Sequence, residues 1–185
     1  MGVLCCVALT GFALAQQNNG QQGSMATNTS SSLPSSDQQF LDHLAKDSRG
    51  EVQISKMVEA KTTNPEVKDY AKRMIHDHMM MDRQLHQVMA KHGLPVPQGI
   101  TSEDQQLQSK LQGLSGQQLD QAYMRAQIQD HEQDVQQVSQ KAKSDQQLSP
   151  AHPDVAQFAQ ESLPVLQDHL QLAKSVGAKV GVSPQ

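Results

Sequence analysis

Apolar residues in this chain recur in alternating steps of four and three, the spacing that lines one stripe of an α-helix. Val67, Ala71, Met74, His78, Met81, Leu85, Val88 and His92 keep that spacing in one stretch, and Met124, Ile128, His131, Val135, Val138 and Ala142 keep it in another. The two stretches are copies, since Y-A-K-R-M-I-H-D-H from Tyr70 to His78 returns as Y-M-R-A-Q-I-Q-D-H from Tyr123 to His131. In each copy a histidine interrupts the seam at a position that belongs to the core. Two further stripes follow the same rule. Phe40, Leu44, Asp47, Glu51, Ile54 and Val58 place Glu51 inward, and Val155, Phe158, Ser162, Val165, His169, Leu172 and Val176 place His169 inward.

Start and stop signals cut these stripes into four helices. The first begins near Ser36 and Asp37, with Ser36 as N-cap and Asp37 at the positive end of the helix dipole. Asn64-Pro65 opens the second, and Gly93 with Pro95 ends it. The third has a capping box at Ser115 and Gln118 and a staple of Leu114 on Leu119, and continues to about Lys143. The fourth follows Pro150 and Pro153, carries Pro164 as a kink, and closes at Gly177. Between the second and third helices, Leu94 to Leu114 is too long for a tight hairpin, and Thr101 or Ser102 can cap a short helix inside it. A segment of that length can run the height of a bundle. The predicted fold is therefore all-α: a ferritin-like four-helix bundle with a long connection between helices 2 and 3.

The N-terminus changes the picture of where the bundle works. Val3 to Leu14 is apolar but too short to span a bilayer, and Ala13-Leu14-Ala15 is a small-x-small cleavage pattern, although no Lys or Arg precedes the run. Residues 1–15 read as a signal peptide, 16–36 as a polar disordered linker, 37–177 as the four-helix domain and 178–185 as a tail. The expectation is export to the periplasm or cell envelope, with no transmembrane span left after signal removal. Asn28-Thr29-Ser30 fits a glycosylation sequon. Cys5 and Cys6 leave with the signal, so the mature chain has no thiol for disulfides, zinc-thiolate sites or cysteine catalysis. Aromatics make up 3%, Trp is absent, and the net charge is -4. Neither a stacking surface nor a basic stripe is available to nucleic acid. Association with the envelope or outer membrane stays open, as does the oligomeric state.

Counted from the helix starts, Glu51, His78, His131 and His169 each lie about 21 Å along their helices, at 1.5 Å per residue. The expectation is one mid-bundle layer of a carboxylate and three imidazoles, a donor set that suits Zn, Cu, Fe or Ni. Asp77, Asp130 and Asp168 each precede one of these histidines. Adjacent residues diverge by about 100° on a helix, so each aspartate lies beside its histidine, where it can accept the second N–H of a ligand imidazole. Met74 and Met81 read as core filler and Met79 and Met80 as boundary residues, all four being soft enough to serve copper. His43, His76, His86, His92 and His152 read as surface or end residues. The same layer has a second reading, a buried His-Glu hydrogen-bond network that only fixes helix packing in a structural or envelope-stress interaction protein. No nucleophile or substrate cleft is legible, so no catalysis is assigned.

Phe40, Ala45 and Gly50-Glu51, the Y-A-x-x-M-I-x-D-H of Tyr70–His78, the repeated Tyr123 and Asp130-His131, and the L-P-x-L-x-x-H-L of Leu163–Leu170 together resemble the bacterial DUF4142 family of the ferritin-like superfamily. The resemblance covers Asp37 to about Gly177. It implies an exported four-helix bundle, periplasmic or at the outer membrane, of undefined biochemical function. Ferritin-like diiron proteins use Glu-x-x-His on two helices. This chain contains no such motif, and only Glu51 resembles a first-helix carboxylate. The resemblance therefore does not extend to diiron chemistry.

Overall fold

The computed structural model describes residues 33–143 and 151–182. The expected signal peptide with Cys5 and Cys6, the sequon at Asn28, most of the expected linker and Pro150 lie outside the described residues. These form α1 (Ser35–Lys61), α2 (Pro65–Lys91), α3 (Ser102–Gln112), α4 (Gly116–Lys143) and α5 (Pro153–Val180). Among the described residues no helix is long and apolar enough to cross a membrane.

Local chemistry sets most of the boundaries. Asn64 caps α2 by accepting from the backbone N–H groups of Glu66 and Val67, with Pro65 in the first turn. Thr101 caps α3 through the Asp104 N–H, and His152 caps α5 through that of Asp154. Two expectations are corrected. The N-cap of α1 is Pro34, which has no side-chain cap bond, and not Ser36. Nor does α5 stop at Gly177; it continues to Val180 and turns at Gly181, whose φ of 88° is left-handed. Residues 178–180, read as tail, are helical. Gly177 is small for a different reason, since a Cβ there would lie 3.1 Å from Ile128 of α4.

α1 and α2 form one hairpin, α4 and α5 the other, α2 packs on α5, and α3 lies against α1 and α4. At one end of the bundle, Thr62 Oγ1 donates to Asp120 Oδ1 at 2.6 Å and Lys179 pairs with Glu66 at 2.8 Å. At the other, Asp37 accepts from Lys141 Nζ and from the His152 N–H, both at 2.7 Å. α2 and α4 both start at the first end, so the connection between them must return the height of the bundle. α3 supplies that passage, and the Lys61 ammonium ties its last turn to α1 through the carbonyls of Leu111 and Gln112. Gly50 makes the crossing fit, because the Asp104 side chain occupies the space where a Cβ would stand. The two sequence copies consequently run parallel. Tyr70 meets Tyr123 edge to face with centroids 5.9 Å apart, and two turns on His78 meets His131 in the same way at 5.7 Å.

The apolar core falls into two clusters. One contains Ile54, Val58, Tyr70, Met74, Tyr123, Met124 and Val176, the other Leu41, Leu44, Met81, Leu85, Val138, Phe158 and Leu166. Between them lies a buried polar slab that includes Asp47, Ser48, Glu51, His78, Gln127, His131, Asp134 and His169.

Candidate metal centre

Three of the four expected ligands converge. His78 on α2, His131 on α4 and His169 on α5 are each at most 1% exposed, and each offers a ring nitrogen within 4.8 Å of the others. Centroid separations are 5.7 Å for His78–His131 and 5.3 Å for both His78–His169 and His131–His169.

Hydrogen bonds orient two of the rings. His131 Nδ1 lies 3.0 Å from the Gln127 carbonyl, which can only accept, so this nitrogen carries the proton and Nε2 keeps its lone pair. His169 Nε2 donates in the same way to Asp77 Oδ2 at 3.0 Å, which leaves the lone pair on Nδ1. Among the described residues, His131 Nε2, His169 Nδ1 and both nitrogens of His78 are buried without a hydrogen-bond partner. Leaving such a group unsatisfied costs about 1–3 kcal/mol, so a cluster of them calls for an explanation.

The electrostatics keep the rings neutral. Burial, then the proximity of His169, pushes His131 down to about 3. Burial, then His131 and His169, holds His78 well below the ordinary imidazole value. His169 is lowered as well, again by burial, with Asp77 opposing. Neutral imidazole is the form that ligates a metal.

Of the three aspartates expected beside these rings, Asp77 accepts a hydrogen bond from an imidazole, but across helices, from His169 of α5. Burial would raise its pKa, but hydrogen bonds from His169, His76 and Arg73 outweigh it and keep the carboxylate charged. Asp130 does not hold its neighbour, since its Oδ2 stands 3.9 Å from His131 Nδ1. Asp168 is exposed on α5. It lines a surface groove of ≈ 390 Å³ with Arg73, His169, Gln171 and Leu172.

Glu51 is corrected. It is buried, but both of its carboxylate oxygens accept from Gln127 Nε2 at 2.8 Å, and Tyr70 OH donates to Gln127 Oε1 at 2.9 Å. Gln127 precedes His131 by one turn, so Glu51 stands a turn away from the imidazoles. The reason is arithmetic. The midpoint of Ser35–Lys61 is Ser48, and it is the Ser48 hydroxyl that donates to the His78 carbonyl, at 3.2 Å.

Sequence reasoning also missed Gln127, Asp47 and Asp134, all buried in the slab. Tyr123, Gln127, His131, Asp134 and Val138 keep the helical spacing, so the signal was there, hidden by a search for apolar seams. Ile128 and Val135 are only partly buried, because the inward face of α4 is turned toward the polar stripe. Met74 and Met81 fill separate core clusters, while Met79 and Met80 are 43% and 45% exposed. His92, His152 and Asp154 also lie together, at the end of the bundle, where they cap α5 and join it to α2.

A family model described as a domain of unknown function (DUF4142) matches residues 22–176. Among solved structures, a DUF305 fragment from Deinococcus radiodurans is similar with a TM-score of 0.68 at 15% identity, over 80% of this chain and 98% of that one. A DUF305 protein from Streptomyces coelicolor, described as a candidate secreted protein, has a TM-score of 0.66 at 15% identity, over 80% of this chain and 96% of its own. At that identity both likenesses speak to the fold alone. No curated protein matches the chain.

Proposed function

We propose, for a chain that belongs to the DUF4142 family, that it is an exported helical bundle whose centre binds one transition-metal ion through His131 Nε2, His169 Nδ1 and one ring nitrogen of His78. The observation that carries this reading is the convergence of buried, partnerless imidazole nitrogens from three helices. A tetrahedral ion bound at 2.0–2.1 Å wants its donors about 3.4 Å apart, a separation these rings can adopt by small rotations. With three protein ligands, one coordination position remains for water or a small anion, and the donor set suits zinc or copper in preference to hard cations. Asp77 and the Gln127 carbonyl supply the outer hydrogen bonds that orient ligand histidines. Glu51 has a structural part in this scheme. Its bonds to Gln127, and those of Gln127 to Tyr70, are complete, as expected of a network that fixes helix register.

Titration of tag-free, chelator-stripped protein with Zn2+ and Co2+ tests the reading. One ion per chain, a tetrahedral cobalt spectrum and a raised melting temperature are expected, all lost in His78→Ala. A wild-type protein that neither binds these ions nor melts higher in their presence refutes it.

A further inference from the structure

The slab contains a second group of chemistry-bearing side chains that the histidine site does not use. Asp47 of α1 with Asp130 and Asp134 of α4 bring carboxylate oxygens within 4.8 Å of one another. Glu51 lies one turn along α1, and Asp104 of α3 closes the group from the side, close enough for its charge to be felt at Asp47 and Asp134. Asp47 is 4% exposed and Asp134 3%, and Oδ2 of each, like Oδ2 of Asp130, has no hydrogen-bond donor among the described residues. Among the described ion pairs, none joins a lysine or arginine to these carboxylates; those cations pair with Asp37, Asp42, Asp69, Asp77, Asp154, Glu66 and Glu132. Buried carboxylates without a cationic side chain take up either protons or a metal cation.

We infer that Asp47, Asp130 and Asp134 form a separate site for a hard divalent cation of the calcium or manganese type, beside the histidine triad and of opposite ligand preference. Three carboxylates from two helices offer only oxygen, which favours such ions over those that imidazole selects. The spacing is compatible, because oxygens that share a calcium ion at 2.3–2.6 Å stand no more than about 5.2 Å apart, a limit that these three meet. The location also agrees. Of the neighbouring pairs of long helices, α1 and α4 make the fewest close backbone approaches, so an ion there would join the two hairpins along their widest seam. Burial, then Asp130 and Asp104, pushes Asp134 above its ordinary value, and burial, then Asp134, does the same to Asp47.

Manganese is the probe, because its EPR signal counts bound ions and calcium can compete for them. Tag-free wild type, His169→Leu and the double variant Asp47→Asn/Asp134→Asn are titrated at neutral pH. The expected result is one Mn2+ per chain in wild type and in His169→Leu, displaced by Ca2+, with affinity reduced about tenfold or more in the double variant as ligand charge falls. Aspartate side-chain carbon shifts in the wild type, which need no variant, should move on adding Ca2+. Wild type that binds neither ion overturns the inference, as does a folded Asn variant that binds Mn2+ as wild type does. The inference does not rest on the triad: Co2+ bound without Mn2+ sinks only the carboxylate site, and Mn2+ bound without Co2+ sinks only the histidine site.

Discussion

Replacing His131 by leucine in metal-free protein should stabilise the bundle, and should do so more as the solution becomes more acidic. The ring is fully buried, and its Nε2 has no partner. Leucine is of similar size, and the Gln127 carbonyl that loses the ring N–H keeps its bond within α4. Removing the unsatisfied nitrogen should therefore gain on the order of 1 kcal/mol near pH 7.5. The pH term comes from linkage. His131 titrates at about 3 in the fold against 6.5 as the ordinary value, so between these limits the unfolded chain binds the proton and the native chain does not. Stability is then complete above the unfolded value and falls as pH falls, by about 1.4 kcal/mol per pH unit. At about pH 5 the wild type has lost roughly 2 kcal/mol at this one residue, and the variant avoids that loss. Urea denaturation in chelator at the two pH values should give an advantage for the variant of about 1 kcal/mol rising to about 3 kcal/mol. An advantage independent of pH, or a variant less stable at both, would refute the view that a neutral, unsatisfied imidazole sits at this position.

Two further outcomes are expected. Asp77→Asn keeps an acceptor for His169 Nε2 but removes its charge, so Zn2+ affinity should fall about 10–100-fold with one ion still bound; calorimetric titration measures it, and unchanged affinity would remove Asp77 from the site. Gly50→Ala places a methyl group where the Asp104 side chain lies, so thermal denaturation should show a loss of about 1–3 kcal/mol, partly restored by adding Asp104→Ala; a fully stable single variant would mean that α3 docks without this glycine.

The long helices were legible because their stripes are long and punctuated: Asn64-Pro65 and Gly93 sit where the spacing needs a start and a stop. The returning connection was legible from its length alone. The histidines were legible because a polar residue in an apolar seam is conspicuous, and the paired copies placed two of them at one height without knowledge of handedness or direction. Glu51 was misplaced for the complementary reason. Its height was counted as a depth from the start of α1, whereas the layer falls at the helix midpoint, Ser48, and the three residues from there to Glu51 are most of a turn. Asp47 stood on the same inward stripe, but spacing along one helix does not tell that Asp130 and Asp134 of another meet it. Gln127 and Asp134 escaped although Tyr123 and Val138 flank them on the same stripe, because their role depends on which face of α4 the bundle turns inward, a property of the whole packing. Gly177 read as a terminator because glycine favours helix ends, whereas here contact with Ile128 explains it.

The division of the apolar core by the polar slab means that the bundle is cemented at its two ends and hinged in the middle. Each end has its own apolar cluster and its own clasp, Asp37 with Lys141 at one and Thr62 with Asp120 at the other. The central turns of all four long helices meet through groups whose cohesion depends on what they bind. Amide hydrogen exchange should find the slowest protons of this protein in two bands rather than one, with the central turns opening first. Ions that fill the slab should merge the two bands into a single cooperative unit, so that occupancy would be read along the full length of the helices and not at the site alone.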